Sequence, residues 1–198
     1  MEHYYTNNPN SKSEEKLISG FINSKEYKFH TDNGVFSKGA VDFGTKTMLE
    51  AFDTDKTEAR VCDLGCGYGV VSVYLADNYK DFSFTLIDVN RRSLELSEKN
   101  MQKNNIQNQA EYLENNALTD LEKTFDIILT NPPIRAGKET VHLMMRQSYD
   151  ALEDGGELWV VIQKKQGMAS CKKLLEELFS NVEIVTKNKG YYILKSSK

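Results

Sequence analysis

Asn131, Pro132, Pro133 and Ile134 form the segment of this chain whose residue types most directly suggest chemistry. An exocyclic amine on a nucleobase is a poor nucleophile, because its lone pair is delocalised into the ring. If the Asn131 side-chain oxygen and the Pro132 carbonyl oxygen each accept one N–H of such an amine, the nitrogen can turn its lone pair toward an electrophile. Two prolines fix the backbone for that purpose. We therefore predict these four residues as the catalytic clamp for a planar amine.

A second segment, Asp63 to Gly69, has the spacing of a loop that wraps a cofactor. Gly65, Gly67 and Gly69 alternate, and glycines let the backbone turn sharply and approach a ligand closely. A dinucleotide-binding loop spaces its glycines as G-x-G-x-x-G, whereas Val70 occupies the third of those sites here. Asp63 places a carboxylate where an amino-acid ammonium could be held, and that polarity fits S-adenosylmethionine.

Asp88 and the Asn116-Ala117 pair are the next candidates for cofactor binding. Asp88 closes the following predicted strand, a position from which a carboxylate can accept hydrogen bonds from both ribose hydroxyls. Asp88 alone could equally cap the helix that begins near Arg91, and the upstream glycines favour the ribose interpretation. Asn116 and the Ala117 backbone N–H are predicted to face the edges of an adenine, although Asn is also common in turns.

The elements that must position these residues alternate between β-like and helix-like segments from Arg60 onward. This order predicts an α/β fold, a Rossmann-like doubly wound parallel sheet with an antiparallel end. The predicted strands cover 60–64, 82–88, 110–113, 125–130, 157–162, 182–186 and 190–194, and the predicted helices 42–52, 70–78, 91–105, 138–152 and 169–179, with a loop at 31–39 and a turn at Asp154-Gly155-Gly156.

The position of Asn131 favours the clamp over a simple strand-ending turn. Phe125 to Thr130 has the apolar character of a buried central strand and runs directly into Asn131. Ligands of open α/β sheets bind at the carboxyl ends of the strands, which is also where the glycine-rich loop falls.

Composition predicts one soluble, cytoplasmic domain without a metal site or a membrane segment. The 198 residues carry a net charge of −4, so any nucleic-acid contact must come from a local patch. Cys62, Cys66 and Cys171 form no disulfide framework, and no second pair or His completes a metal site. No apolar stretch has the length of a signal peptide core or a membrane span. We expect an N-terminal extension over residues 1–26, mobile over about its first 15 residues, and the catalytic domain over residues 27–198.

With both motifs in order, the chain resembles class I S-adenosylmethionine-dependent methyltransferases, and more narrowly the RsmC-type ribosomal RNA guanine-N2 methyltransferases. Phe29-His30-Thr31, Gly34-Val35-Phe36-Ser37 and Asp42-Phe43-Gly44-Thr45 match the family's stretch ahead of the cofactor loop. The resemblance implies a seven-stranded sheet with the last strand antiparallel, and an RNA partner, either ribosomal RNA or a ribosomal subunit. It also implies a cofactor pocket formed by Thr45, Asp63, Gly65, Cys66, Gly67, Gly69, Asp88, Val89, Asn116, Ala117 and Asn131.

Three features of the substrate side depart from the family or stay open. Family members usually carry an aromatic residue after Pro-Pro that stacks on the base, where this chain has Ile134, so Phe36 is predicted to compensate. Lys164 and Lys165 follow a predicted strand and are candidate phosphate contacts, although lysines are more often simply solvated. Family members often have an additional N-terminal domain that helps to bind RNA, and we expect none in a chain of 198 residues. The same clamp could hold a protein glutamine amide, and a noncatalytic cofactor-binding assembly factor is a further alternative.

Overall fold

The structure, a computed structural model, describes residues 10–198. Its strands are β1 (Lys16–Ile22), β2 (Lys25–Thr31), β3 (Ala59–Leu64), β4 (Phe82–Asp88), β5 (Ala110–Glu114), β6 (Phe125–Thr130), β7 (Leu152–Gln163), β8 (Asn181–Asn188) and β9 (Tyr191–Ser197). Its helices are α1 (Phe43–Ala51), α2 (Val70–Asn78), α3 (Arg91–Lys103), α4 (Lys138–Ala151) and α5 (Met168–Leu178).

Seven of the strands form one mixed sheet in the order β5-β4-β3-β6-β7-β9-β8. Neighbouring strands are parallel from β5 to β7, and β9 runs antiparallel to both β7 and β8. Helices α1, α2 and α3 pack on one face of the sheet and α4 and α5 on the other, and each face has its own buried apolar cluster. The predicted fold class, a Rossmann-like seven-stranded sheet with the last strand antiparallel, is confirmed.

Strands β1 and β2 form a separate antiparallel hairpin that the sequence analysis did not predict. Two side-chain amides, one from Asn100 in α3 and one from Asn104 just after the end of α3, pair with the free backbone edge of β2. Asn100 accepts from the His30 N–H (2.6 Å) and donates to the His30 carbonyl (3.0 Å). Asn104 makes the same pair of hydrogen bonds, accepting from the Lys28 N–H and donating to the Lys28 carbonyl oxygen. The edge of β2 is thereby covered without a further strand.

The hairpin also bears on the predicted domain organisation. β1 lies inside the segment predicted as an N-terminal extension, while residues 1–9, the larger part of the stretch predicted to be mobile, lie outside the described residues. The boundary between extension and domain stays a prediction.

Several predicted boundaries differ from the structure near the antiparallel end of the sheet. The predicted turn at Asp154-Gly155-Gly156 lies inside β7, which already begins at Leu152, opposite Phe125, and shifts register before Glu157. Residues 153–156 thus form a bulge, with Gly155 at a φ of 78°. Strands β8 and β9 are longer than predicted, because each pairs along its length with a neighbour.

The sheet order brings the two predicted motifs together. β3 lies between β4 and β6, and Leu64 at its carboxyl end is level with Ile87 of β4 and Thr130 of β6. The glycine-rich loop after β3 therefore lies between Asp88 and Asn131. Within residues 10–198, no helix has the length and apolar character needed to cross a membrane.

Candidate active site

The glycine-rich loop folds back over the end of β4 and leaves open space on one side. The Gly65 and Cys66 N–H groups both donate to the Ile87 carbonyl oxygen, at 2.8 and 3.0 Å. A Cβ atom added at Gly65 or Gly67 would meet nothing within 4 Å, and both residues have positive φ. A ligand can therefore approach this backbone closely.

Gly69 has a different part in the loop. A Cβ atom there would lie about 3 Å from Ser97 of α3, at 3.0 Å from its Oγ and 3.1 Å from its Cα. The φ of 91° also suits glycine. Gly69 is the N-cap of α2 and lets α3 pack against the loop, and it does not line the cofactor cavity.

Asp63 is a buried carboxylate at the end of β3. Its side chain is 2% exposed, and its Oδ2 accepts from the Ser72 Oγ (2.7 Å) and the Ser72 N–H (3.2 Å). Burial raises the pKa of Asp63 to about 7, and the nearby Asp88 carboxylate adds to the rise. Within residues 10–198 no hydrogen bond reaches Oδ1, and Asp63 lines the cavity. A cationic group of a ligand would find an acceptor there.

Asp88 ties the glycine-rich loop to the start of α3. Its Oδ2 accepts from the Gly67 N–H and its Oδ1 from the Asn90 N–H, each at 2.9 Å. Burial raises the pKa of Asp88 to about 6, against the lowering effect of hydrogen bonds from the Asn90, Gly67 and Val89 backbone. A carboxylate has about four lone-pair sites, so both oxygens can still accept a hydroxyl.

The Asn131 side chain is held by α1. Its Nδ2 donates to the Asp42 Oδ2 (2.9 Å) and to the Thr45 Oγ1 (3.0 Å). Pro132 and Pro133 are buried beneath the same surface, and Ile134 begins a short 3₁₀ turn. Because both N–H groups of the amide are used on the α1 side, its oxygen is the atom left to accept a hydrogen bond from a ligand.

A second cavity adjoins the first at Asn131. The two cavities share five lining residues, Phe36, Ser37, Asp42, Asn131 and Pro132, so a group in one can reach a group in the other beside the Asn131 amide. The second cavity, which we call the acceptor cavity, is completed by Val35, Ile134, Arg135, Val161, Ile162, Gln163, Gln166 and Tyr191.

The loop between β2 and α1 covers the junction of the two cavities and carries Phe36. Its carbonyl oxygens are held from several directions: Asn90 Nδ2 donates to Gly34 (2.9 Å), and the Tyr68 hydroxyl lies 3.2 Å from the Ser37 carbonyl oxygen. Phe36 itself is 37% exposed. The loop is thereby fixed to both the glycine-rich loop and α3.

The structure gathers most of the predicted site residues around one cavity. Twelve of them line the cofactor cavity, namely Phe36, Thr45, Asp63, Gly65, Cys66, Gly67, Asp88, Val89, Ala117, Asn131, Pro132 and Pro133.

The other predicted residues lie elsewhere. Asn116 is exposed, and its neighbour Asn115 lines the cofactor cavity instead. Ile134 lines the acceptor cavity. Lys164 and Lys165 are exposed in a 3₁₀ turn whose neighbour Gln166 lines that cavity. The roles assigned to all of these residues stay predictions.

Asp42, Tyr191 and Arg135 are residues of the site that the sequence analysis did not predict. Asp42 lies in the Asp-Phe-Gly-Thr segment already noted, where an Asp ahead of a helix signals an N-cap and draws attention to that helix end. Tyr191 and Arg135 carry no local signal. Tyr191 reaches this cavity only because the sheet order places β9 beside β7, two strands away from β6.

Comparison with known proteins connects this site to one family. A family model described as "Methyltransferase small domain" matches residues 26–195. A Bacillus subtilis protein, described as "Uncharacterized protein YbxB", is 45% identical over 100% of this chain and 98% of its own length. The ribosomal RNA small subunit methyltransferase C of Psychromonas ingrahamii is 30% identical over 87% of this chain and 49% of its own length.

Among solved structures, the T. thermophilus 16S rRNA N2 methyltransferase RsmC, in complex with AdoMet and guanosine, superposes with a TM-score of 0.81. It is 27% identical, and the match covers 96% of this chain and 52% of that one. The chain thus spans about half the length of the named ribosomal RNA methyltransferases it matches.

Proposed function

Because this chain belongs to the methyltransferase small domain family, we propose that it transfers a methyl group from S-adenosylmethionine to an exocyclic base amine of RNA, and specifically to the N2 amine of a guanine in ribosomal RNA. The observation that carries the proposal is the Asn131 amide, whose oxygen is left to accept a hydrogen bond at the junction of two cavities. The relatives named as ribosomal RNA methyltransferases support the substrate class.

The cofactor cavity has the features that S-adenosylmethionine requires. Because Gly65 and Gly67 have no Cβ, the space in front of their backbone is open to a ligand. The carboxylates of Asp63 and Asp88 line the same cavity. Asp63 would bind the ammonium of the amino-acid part, and Asp88 would accept from the ribose hydroxyls. We assign the adenine to the side lined by Val89, Asn115 and Ala117.

Bound in that cavity, S-adenosylmethionine supplies a methyl group on a positively charged sulfur, so the reaction needs no metal ion. The chain contributes orientation. In this proposal the Asn131 oxygen and the Pro132 carbonyl oxygen each accept one N–H of the target amine, which aims the nitrogen lone pair at the cofactor cavity. The partial negative charges of these two oxygens also stabilise the positive charge that develops on that nitrogen during the transfer.

The acceptor cavity is the proposed place of the target base. Phe36 and Tyr191 are aromatic residues of its lining, and they offer the stacking surface that Ile134 lacks. Lys164 and Lys165 follow the carboxyl end of β7, and they are the proposed contacts to neighbouring phosphates of the RNA. We propose a cytoplasmic setting, where ribosomal RNA is available as substrate.

The direct test is transfer of a labelled methyl group. The protein is incubated with methyl-labelled S-adenosylmethionine and unmodified ribosomal RNA or ribosomal subunits, and the RNA is digested to nucleosides. The expected result is label in N2-methylguanosine, abolished by Asn131→Ala and retained by the matched control Asn181→Ala on the exposed surface of β8. Label found only in protein would favour a glutamine amide as the acceptor, and no label on any substrate would reject methyl transfer.

A further inference from the structure

Asp42 contacts both α1 and the proposed clamp. Its Oδ2 accepts from the Thr45 N–H at 2.9 Å and so caps α1. The same oxygen accepts from the Asn131 Nδ2 at 2.9 Å, and the Thr45 Oγ1 accepts from that nitrogen at 3.0 Å. The cap of α1 and the orientation of the clamp therefore depend on one carboxylate.

The chemistry of the three groups fixes which way the Asn131 amide points. The amide has two N–H donors and one oxygen, and an ionised carboxylate can only accept. If the amide were turned by half a rotation, its oxygen would face the Asp42 Oδ2, and two acceptors would oppose each other. The Nδ2 atom is therefore held on the α1 side and the oxygen on the cavity side.

We propose that Asp42 is a positioning residue for methyl transfer, and that it acts by holding the Asn131 oxygen toward the acceptor amine. This inference rests on the proposed function of Asn131. Without Asp42 the amide can turn and present its N–H groups to the amine, whose own N–H groups they would repel. Thr45 contributes the second acceptor through its Oγ1, and it is itself placed by the cap that Asp42 makes.

Two substitutions of Asp42 differ in whether the hydrogen bonds to Thr45 and Asn131 can still form. In Asp42→Asn, the new amide oxygen can take the place of Oδ2 and accept from both Thr45 and Asn131, and Asn caps helices as well as Asp. In Asp42→Ala neither bond can form. We expect kcat to fall about 100-fold in Asp42→Ala and less than about tenfold in Asp42→Asn, with little change in KM for the cofactor. Asp150→Ala, an exposed carboxylate on α4, is the control.

A reciprocal exchange gives a result that a capping role alone does not predict. Asn131→Asp sets two carboxylates against each other, so it should be nearly inactive. Adding Asp42→Asn returns one donor and one acceptor in the opposite arrangement, but the amide nitrogen then replaces the oxygen that caps Thr45. The double variant should therefore recover about tenfold over Asn131→Asp alone and stay below the wild type. The proposal is overturned if the double variant is no better than Asn131→Asp, or if Asp42→Ala keeps the wild-type kcat.

A measurement without substrate separates this inference from the proposed function. The Asn131 side-chain amide signal is identified in a nitrogen–proton NMR spectrum by its loss in Asn131→Asp. Its hydrogen exchange should become about tenfold faster in Asp42→Ala, because that variant removes a bond to a charged acceptor. Unchanged exchange would reject the contact itself. If the exchange responds but the wild type methylates no RNA, the proposed function fails while Asp42 still holds Asn131.

Discussion

At the residue scale, Asp63 is a carboxyl group whose burial disfavours the ionised form, and the same group has a proposed role in cofactor binding. A carboxyl group that is 2% exposed and bonded only to Ser72 within the described chain has a pKa of about 7. Near neutral pH a large fraction of Asp63 is therefore protonated in the ligand-free protein. A bound ammonium would favour the ionised form, so cofactor binding should be coupled to loss of a proton.

We predict that affinity for S-adenosylmethionine rises with pH between about pH 6 and about pH 7.5, because below the Asp63 pKa binding must first remove a proton. Above about pH 8 the α-amino group of the cofactor itself loses its charge, and the gain should end. Isothermal titration calorimetry in buffers of different ionisation enthalpy measures both the affinity and the proton released. An affinity independent of pH, with no proton release at pH 6, would contradict the role of Asp63.

Asp63→Asn is the control for this prediction. An Asn oxygen can accept both bonds from Ser72, so the loop should keep its shape. The folded-state pKa of Asp63 lies above its unfolded value of about 3.9, so this group stabilises the ligand-free fold at low pH and loses that contribution as pH rises toward 7. At pH 8 Asp63→Asn should therefore unfold at a higher temperature than the wild type, although it binds the cofactor weakly.

At the element scale, helix α1 is the part of the fold on which the clamp depends, and Gly44 sets its distance from the sheet. A Cβ atom at Gly44 would lie 2.5 Å from the Tyr191 Cδ1 and 2.6 Å from the Val161 Cγ1. The helix can approach β7 and β9 this closely only because residue 44 has no side chain. Asp42 and Thr45, which hold Asn131, lie on either side of it.

Gly44→Ala should therefore destabilise the protein, although Ala normally favours a helix over Gly by about 1 kcal/mol. Overpacking of this kind costs about 1–3 kcal/mol, which chemical denaturation measures, and kcat should fall as α1 moves away from Asn131. Gly39→Ala is the matched control, since an added Cβ there meets nothing within 4 Å. A Gly44→Ala protein that is more stable than the wild type and fully active would show that this spacing is unimportant.

The sequence predicted the elements of the sheet well, because each carries its own local signal. Apolar strands such as Phe125–Thr130 end in recognisable turn residues, and the glycine spacing after Leu64 marks a backbone that a ligand can approach. The β1–β2 hairpin was missed, because its two-residue turn is Asn23-Ser24 and lacks the glycine that usually marks such turns, although both residues adopt positive φ.

The acceptor side of the site was predicted less completely than the cofactor side. Asp63, Gly65, Gly67 and Asp88 lie at or just after the carboxyl ends of β3 and β4, which are consecutive in the chain and adjacent in the sheet. Tyr191 reaches the same region from the start of the last strand, and it does so only because β9 inserts between β7 and β8. Such contacts depend on sheet order, which the sequence of elements does not fix.

At the scale of the whole molecule, the net charge of −4 means that the proposed RNA substrate would have to bind to a local group of cations. Lys164 and Lys165 are exposed beside the acceptor cavity, whereas Lys172 and Lys173 lie on α5, where Lys172 pairs with Glu176. The two lysine pairs are therefore matched in composition and differ in position.

We predict that Lys164→Gln with Lys165→Gln weakens RNA binding more than Lys172→Gln with Lys173→Gln. The slope of log K against log salt is negative. Each lysine–phosphate interaction with a single strand that is removed should reduce its magnitude by about 0.7. Filter binding or fluorescence anisotropy over a salt series measures the slope. Equal effects of the two pairs would place the RNA elsewhere on the molecule.

The central claim, methylation of a guanine amine in ribosomal RNA through the Asn131 clamp, is tested most directly by nucleoside mass spectrometry of ribosomal RNA from cells with and without the gene. We predict that one N2-methylguanosine is lost on deletion, restored by the wild-type gene and not restored by Asn131→Ala. An unchanged set of modified nucleosides in the deletion strain, or full restoration by Asn131→Ala, would contradict it.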